Sequence, residues 1–160
     1  MTSVYAPTQL YYLEGPTLTV TKKYKRGNAM DYIMRYSPLF AALIQKAGLE
    51  DWFDSDEFHS TCFIPCEEYS KKFIEHFRRA DKEMARAIVT ASVVPHYASV
   101  ATLSAEESVP TCNRLSRLRI SQEKGRIILN ENLRFQRTDI LLKNGLIQSL
   151  NGLVRPTMIE

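Results

Sequence analysis

Three linked pieces near the end of the chain limit its fold most: Asp139-Ile140, Asn144-Gly145-Leu146-Ile147-Gln148, and Leu153-Val154-Arg155-Pro156. An Asn-Gly pair between two apolar runs is the strongest short-range hairpin signal. A type I′ turn needs φ > 0 at both central residues, and asparagine and glycine accept that conformation most readily. The pattern predicts a tight hairpin centred on Asn144-Gly145. Just upstream, Gly125-Arg126-Ile127-Ile128-Leu129-Asn130 and Leu133-Arg134-Phe135 read as two more short strands. The C-terminal part is therefore expected to be a compact β structure.

The preceding residues follow a different period. Ile33, Tyr36, Phe40, Leu43, Ile44 and Ala47 recur at helical spacing, which predicts one buried stripe. Ser37-Pro38 divides it, the serine as helix cap and the proline at the first helical position. Gly48 is a natural stop. Two short helices in succession are predicted, followed by Leu49, Trp52 and Phe53 as apolar anchors. Thr61-Cys62-Phe63-Ile64 reads as a strand closed by Pro65. Glu67 and Glu68 then suit the positive end of a new helix, with Lys71 and Lys72 four residues on. Asp81 is placed to cap a further helix whose inner face is Met84, Ala87, Ile88 and Ala91. Val93-Val94-Pro95 leads into a loop from Tyr97 to Pro110, and strands follow to the end.

At 160 residues, with 44% apolar and 24% charged residues, the chain has ordinary globular composition. Residues 1–28 stand apart as an extended arm before a domain spanning 29–160. Pro7, Gly15, Pro16 and Gly27 break the arm, Thr17 to Thr21 alternate as in a strand, and Lys22, Lys23, Lys25 and Arg26 form a basic run. Such an arm packs either on its own domain or on a neighbour. Its tyrosines, Tyr5, Tyr11 and Tyr12, suit a partly wet interface. With Leu18, Val20, Lys22 and Lys23 they form the predicted partner-binding set.

The order helix, helix, strand, helix, helix and then strands resembles the fasciclin domain, and four local motifs support the likeness. Thr61-Cys62-Phe63-Ile64-Pro65-Cys66 is similar to the family's strand-to-helix signature, with Phe63 as core plug and Pro65 at the turn. Ala91-Ser92-Val93-Val94-Pro95 is similar to a Tyr-His-Val-Val-Pro signature. Asp139-Ile140, Asn144-Gly145-Leu146-Ile147-Gln148 and Leu153 with Pro156 are similar to the closing motif. Ser37-Pro38-Leu39-Phe40 through Ala47-Gly48-Leu49 resembles the opening helix. The likeness runs from about residue 29 to 158. It implies an α+β fold, with N-terminal helices packed on a β-rich C-terminal half, and a non-catalytic binding or scaffolding role. The Tyr-His pair tied to integrin adhesion in some members is Ala91-Ser92 here. A later histidine is Gln148, and the acidic residue that usually follows is Asn151, so adhesion through that motif is not implied.

Candidate chemistry is sparse. His59, Cys62 and Cys66 fall within eight residues, but Cys62 and Cys66 straddle a strand-to-helix change, which sends their side chains apart. No metal site is expected. Cys66 lies near a helix start, where a thiolate is favoured, yet no base or oxyanion site accompanies it. No phosphate loop, dinucleotide glycine pattern or paired-carboxylate frame is present. No catalytic residue, cofactor or small-molecule substrate is expected.

Arg117 and Arg119 alternate with Leu118 and Ile120, as on the solvated face of a strand, and Arg114 lies beside them. With a net charge of +3, nucleic acid is not the expected partner, although a basic nucleic-acid-associated protein remains an alternative. No apolar run is long enough to span a bilayer, and Met1 to Leu13 lack a secretory leader. Three cysteines do not make a disulfide framework. The combined expectation is an intracellular or virion protein, a subunit or cement component of a larger assembly held through its arm. A minor capsid protein of a large DNA virus is one such form. A secreted adhesion or matrix module is the alternative if the sequence has been trimmed.

Overall fold

The computed structural model describes residues 23–156. Helices α1 (Ala29–Tyr36), α2 (Pro38–Ala47) and α3 (Glu50–Phe53) come first, then strand β1 (Ser60–Pro65). Short helix α4 (Glu67–Ser70), a 3₁₀ turn (Lys71–Phe73), α5 (Ile74–Arg79) and α6 (Lys82–Ala91) precede β2 (Val93–Val94). Helix α7 (Val100–Leu103) and strands β3 (Ser108–Pro110), β4 (Arg117–Glu123), β5 (Arg126–Leu129), β6 (Leu133–Leu141) and β7 (Gly145–Leu150) complete it.

The strands form one sheet in the order β2-β1-β7-β6-β5-β4-β3. The β1–β7 pair is parallel and the other pairs are antiparallel. Strands β1 and β7 are buried at every position, as expected of strands covered on both faces. Their side chains alternate between two cores. Cys62, Ile64 and Ile147 join Met30, Ile33, Leu39, Phe40, Phe53 and Ile88 in a helix-lined core. Phe63 and Leu150 face a second core with Val94, Leu103, Leu118, Leu129 and Leu133. Phe63 is the plug that the sequence predicted, fully buried in that second core.

The hairpin near the end forms, but its turn differs from expectation. Ile140 pairs with Ile147 and Leu141 with Leu146, and the Leu142 N–H donates to the Gly145 carbonyl at 2.8 Å. The central residues are therefore Lys143 and Asn144, and neither has positive φ. Gly145 is the first residue of β7. A Cβ there would lie 2.9 Å from the Ser60 carbonyl oxygen and 2.9 Å from the Phe58 ring, so close approach rather than a left-handed backbone requires the glycine. A left-handed pair lies instead at Lys124 (φ 54°) and Gly125 (φ 80°), between the partners Glu123 and Arg126 of the β4–β5 hairpin.

Other expectations need adjustment. Ser37 precedes α2 but makes no side-chain cap; its hydroxyl donates to the Pro65 carbonyl at 2.8 Å, tying the helix start to the end of β1. Gly48 ends α2 in the left-handed conformation, and Asp81 caps α6 by accepting from the Met84 N–H at 2.8 Å. The buried face of α6 is Ala85, Ile88, Val89 and Ala91, with Met84 and Ala87 at its margin. The stretch from Tyr97 to Pro110 is not simply a loop, since it holds α7, capped by Ser99, and β3. Tyr24 is buried in the helix-lined core, and the Gln45 side-chain amide donates to its hydroxyl at 2.8 Å. Residues from Tyr24 onward therefore pack on the domain.

Candidate interaction surface

The residues of the closing motif act as internal ties. Asn144 is buried, and its Oδ1 accepts from the Ala29 N–H at 2.8 Å. Its Nδ2 donates to the carbonyls of Phe53 and Ser55 at 2.9 and 2.7 Å, while its own carbonyl accepts from the His59 N–H at 2.8 Å. One side chain thus joins the start of α1, the end of α3 and the β6–β7 turn. Asp139 sits at an irregularity of β6 with φ 55°. Its N–H donates to Gln148 Oε1 at 2.8 Å, and its carboxylate accepts from Gln148 Nε2 at 2.8 Å and from the Val100 N–H at 3.0 Å. Gln148, fully buried, also donates to the Ala98 carbonyl at 3.0 Å. A buried amide with both ends bonded is a structural lock.

The other fold-motif residues divide by exposure. Pro65, Val93, Val94 and Pro156 are buried, whereas Pro95 is exposed. Of the predicted arm set, Tyr5, Tyr11, Tyr12, Leu18, Val20 and Lys22 lie outside the described residues, and Lys23 is exposed. Arg114, Arg117 and Arg119 are exposed, in keeping with a solvated strand face. Cys62 is buried and its thiol pKa is pushed well up by burial, with a contribution from Cys112. Burial also raises the Cys66 thiol, so its place before the four-residue α4 does not yield a thiolate. Among the described residues no three His, Cys, Asp or Glu side chains are grouped to hold a metal ion, and no helix is long and apolar enough to cross a membrane.

The sequence did not point to the most exposed aromatic surface among the described residues. Tyr36 was expected on the buried stripe, but α1 ends there and the chain turns at Ser37-Pro38, leaving it 52% exposed. Its ring lies 4.6 Å from that of Tyr32, one helical turn back. The pair borders a cleft of about 320 Å³ that Glu67, Glu68, Cys66 and Arg137 also line. Burial raises the Tyr32 pKa, while the charge of Arg137 and its side-chain hydrogen bond to the tyrosine pull it back.

Glu67 is the unusual group. Both of its carboxyl oxygens are buried without a hydrogen-bond partner. Burial pushes its pKa up to about 7, against the lowering pull of the Leu39 amide at the start of α2 and of Lys71. The i,i+4 spacing of the two tyrosines was visible in the sequence. The desolvation of Glu67 was not, because it depends on α2 packing against α4.

The fasciclin domain model matches residues 37–156 of the chain. Among solved structures, the chain is similar to a fasciclin domain pair from the insect cell adhesion molecule fasciclin I, with 17% identity and a TM-score of 0.64. That match covers 82% of this chain and 51% of the other, so the chain spans about half the length of that structure. No curated protein matches the sequence.

Proposed function

The chain belongs to the fasciclin domain family, and from that premise we propose that it is a non-catalytic interaction module, a subunit or cement protein held in a larger assembly by its N-terminal arm. The exposed Tyr36 beside Tyr32 and the desolvated Glu67 is the observation that carries this reading. An aromatic pair next to a desolvated acid suits a basic side chain of a protein partner. The ring face offers a cation–π contact, and the positive charge would offset the desolvation of the Glu67 carboxylate.

Strand pairing by residues 17–21 needs an open edge. The domain's own edge strands, β2 and β3, are two and three residues long. The Val93 carbonyl of β2 is already taken by the Cys112 N–H, and β3 ends in a proline. Short, covered edges resist added strands. The alternating segment of the arm is therefore best accepted by a different protein rather than by a second copy. A minor capsid component of a large DNA virus is one concrete form of such an assembly.

The test is co-purification of tagged full-length chain with its native assembly. Tyr36→Ala is expected to lose the assembly while the melting temperature stays within about 2 °C, since an exposed substitution changes stability little. Unchanged assembly with Tyr36→Ala and Glu67→Gln together would reject this surface. A cell-surface or matrix adhesion module is the second reading, favoured by the likeness to an insect cell adhesion molecule. Display of the chain outside intact cells of its source would select it.

A further inference from the structure

A second cleft, of about 600 Å³, opens where the β5–β6 turn meets the stretch after β7. Asn130 and Glu131 in that turn have left-handed φ values of 48° and 74°. Two reciprocal pairs of hydrogen bonds build its walls. The Asn130 N–H donates to the Arg119 carbonyl at 2.9 Å, and the Arg119 N–H returns to Asn130 Oδ1 at 2.9 Å. Asn151 repeats the arrangement with Arg134, again at 2.9 Å in both directions. Both amide oxygens are thus used by neighbouring strands, and the remaining polar atom of each side chain is a donor, Nδ2. Neither Nδ2 makes a hydrogen bond among the described residues.

Two guanidinium groups line the same cleft. Arg155 lies 5.8 Å from the Phe73 ring centroid and forms no ion pair among the described residues. Arg119 meets the Glu131 carboxylate only at 3.7 Å, between side chains 57% and 81% exposed. Such a contact is weak and readily exchanged. Donors outnumber acceptors, and planar guanidinium groups favour carboxylate, sulfate or phosphate. The volume falls in the range of small-molecule sites and exceeds what one inorganic anion fills.

We propose that this cleft binds an anionic oxygen group borne by a small polar molecule such as a sugar. Arg155 and Arg119 hold the anion, and the Nδ2 groups of Asn130 and Asn151 hold neighbouring oxygens. The site is independent of the Tyr36 surface and shares no residue with it.

The test is a nitrogen-15 NMR titration of the full chain with glucuronate, glucose 6-phosphate, sodium sulfate, sodium phosphate and neutral glucose. Saturable shifts at the amides of residues 130–132 and 151–153 are expected for the two sugar-borne anions, and none for glucose. Arg155→Gln is expected to weaken binding at least tenfold with an otherwise unchanged spectrum, while Lys124→Gln on the β4–β5 turn has no effect. Equal, Arg155-dependent binding of the inorganic anions would support the anion contact and assign it to the free ion. No saturable shift with any anion, or equal weakening by Arg155→Gln and Lys124→Gln, would overturn the proposal.

Discussion

A carboxyl group without a hydrogen-bond partner makes a protein sensitive to pH in a definite direction. The Glu67 pKa is raised to about 7 in the folded chain, so between the ordinary carboxylate range and pH 7 the folded state binds more protons than the unfolded one. Stability from this group is therefore full at low pH and falls as pH rises through 7. Glu67→Gln should remove that slope and, at pH 8, raise stability by on the order of 1 kcal/mol once partial exposure is allowed for. Thermal melts from pH 5 to 8 read it, and equal slopes in both proteins would contradict the assignment. A cationic partner needs the ionised form, so association through the Tyr36 cleft should tighten over the same interval. Asn144 makes the opposite case, a polar group with every hydrogen bond used. Asn144→Ala leaves the Ala29 N–H and two carbonyls without their partner, and a loss of about 3 kcal/mol is expected in a denaturant titration. A loss below 1 kcal/mol would mean that α1 and the β6–β7 turn are tied elsewhere.

Two glycines show how an element can need the same residue for different reasons. Gly125 has φ 80° and nothing within 4 Å of a built Cβ, so Gly125→Ala costs only backbone strain, about 1 kcal/mol. Gly145 has an ordinary backbone but no room, so Gly145→Ala forces β7 away from β1 at about 2–3 kcal/mol. Chemical denaturation of the two variants should rank them in that order, and the reverse ranking would contradict the packing account. The sequence pattern named a hairpin correctly at 139–148 but assigned its glycine to turn geometry, because Asn-Gly carries the same signal whether φ or contact selects it. The left-handed pair at Lys124-Gly125 has no asparagine and looked like the start of a strand. Helices α1 and α2, the strand ending at Pro65 and the Asp81 cap were legible because period and proline positions agree there, although Ser37 turned out not to cap α2. Helix α7 is only four residues long and offered no period to read.

For the whole molecule, the fold was legible and most of the candidate surface was not. Four motifs in order sufficed for the fasciclin architecture, since each marks a strand end or helix start on which topology depends. Tyr36 looked like core because its spacing continues the stripe across Ser37-Pro38, and only the change of direction there turns it to solvent. Neither the burial of Glu67 nor the donors around Asn130 and Asn151 leave a trace in one dimension, because each arises from contacts between distant segments. The proposed anchoring by the arm is a property of the full chain. Tyr24 packs in the core, and residues 23–160 keep that contact, so they are expected to melt within about 2 °C of the full chain. The most direct measurement is the native mass of the particle holding this chain in gently lysed source material, with and without residues 1–22. The account predicts a large complex for the full chain that is lost on removing the arm. A monomer in both cases, of 18.4 kDa for the full chain, would contradict it.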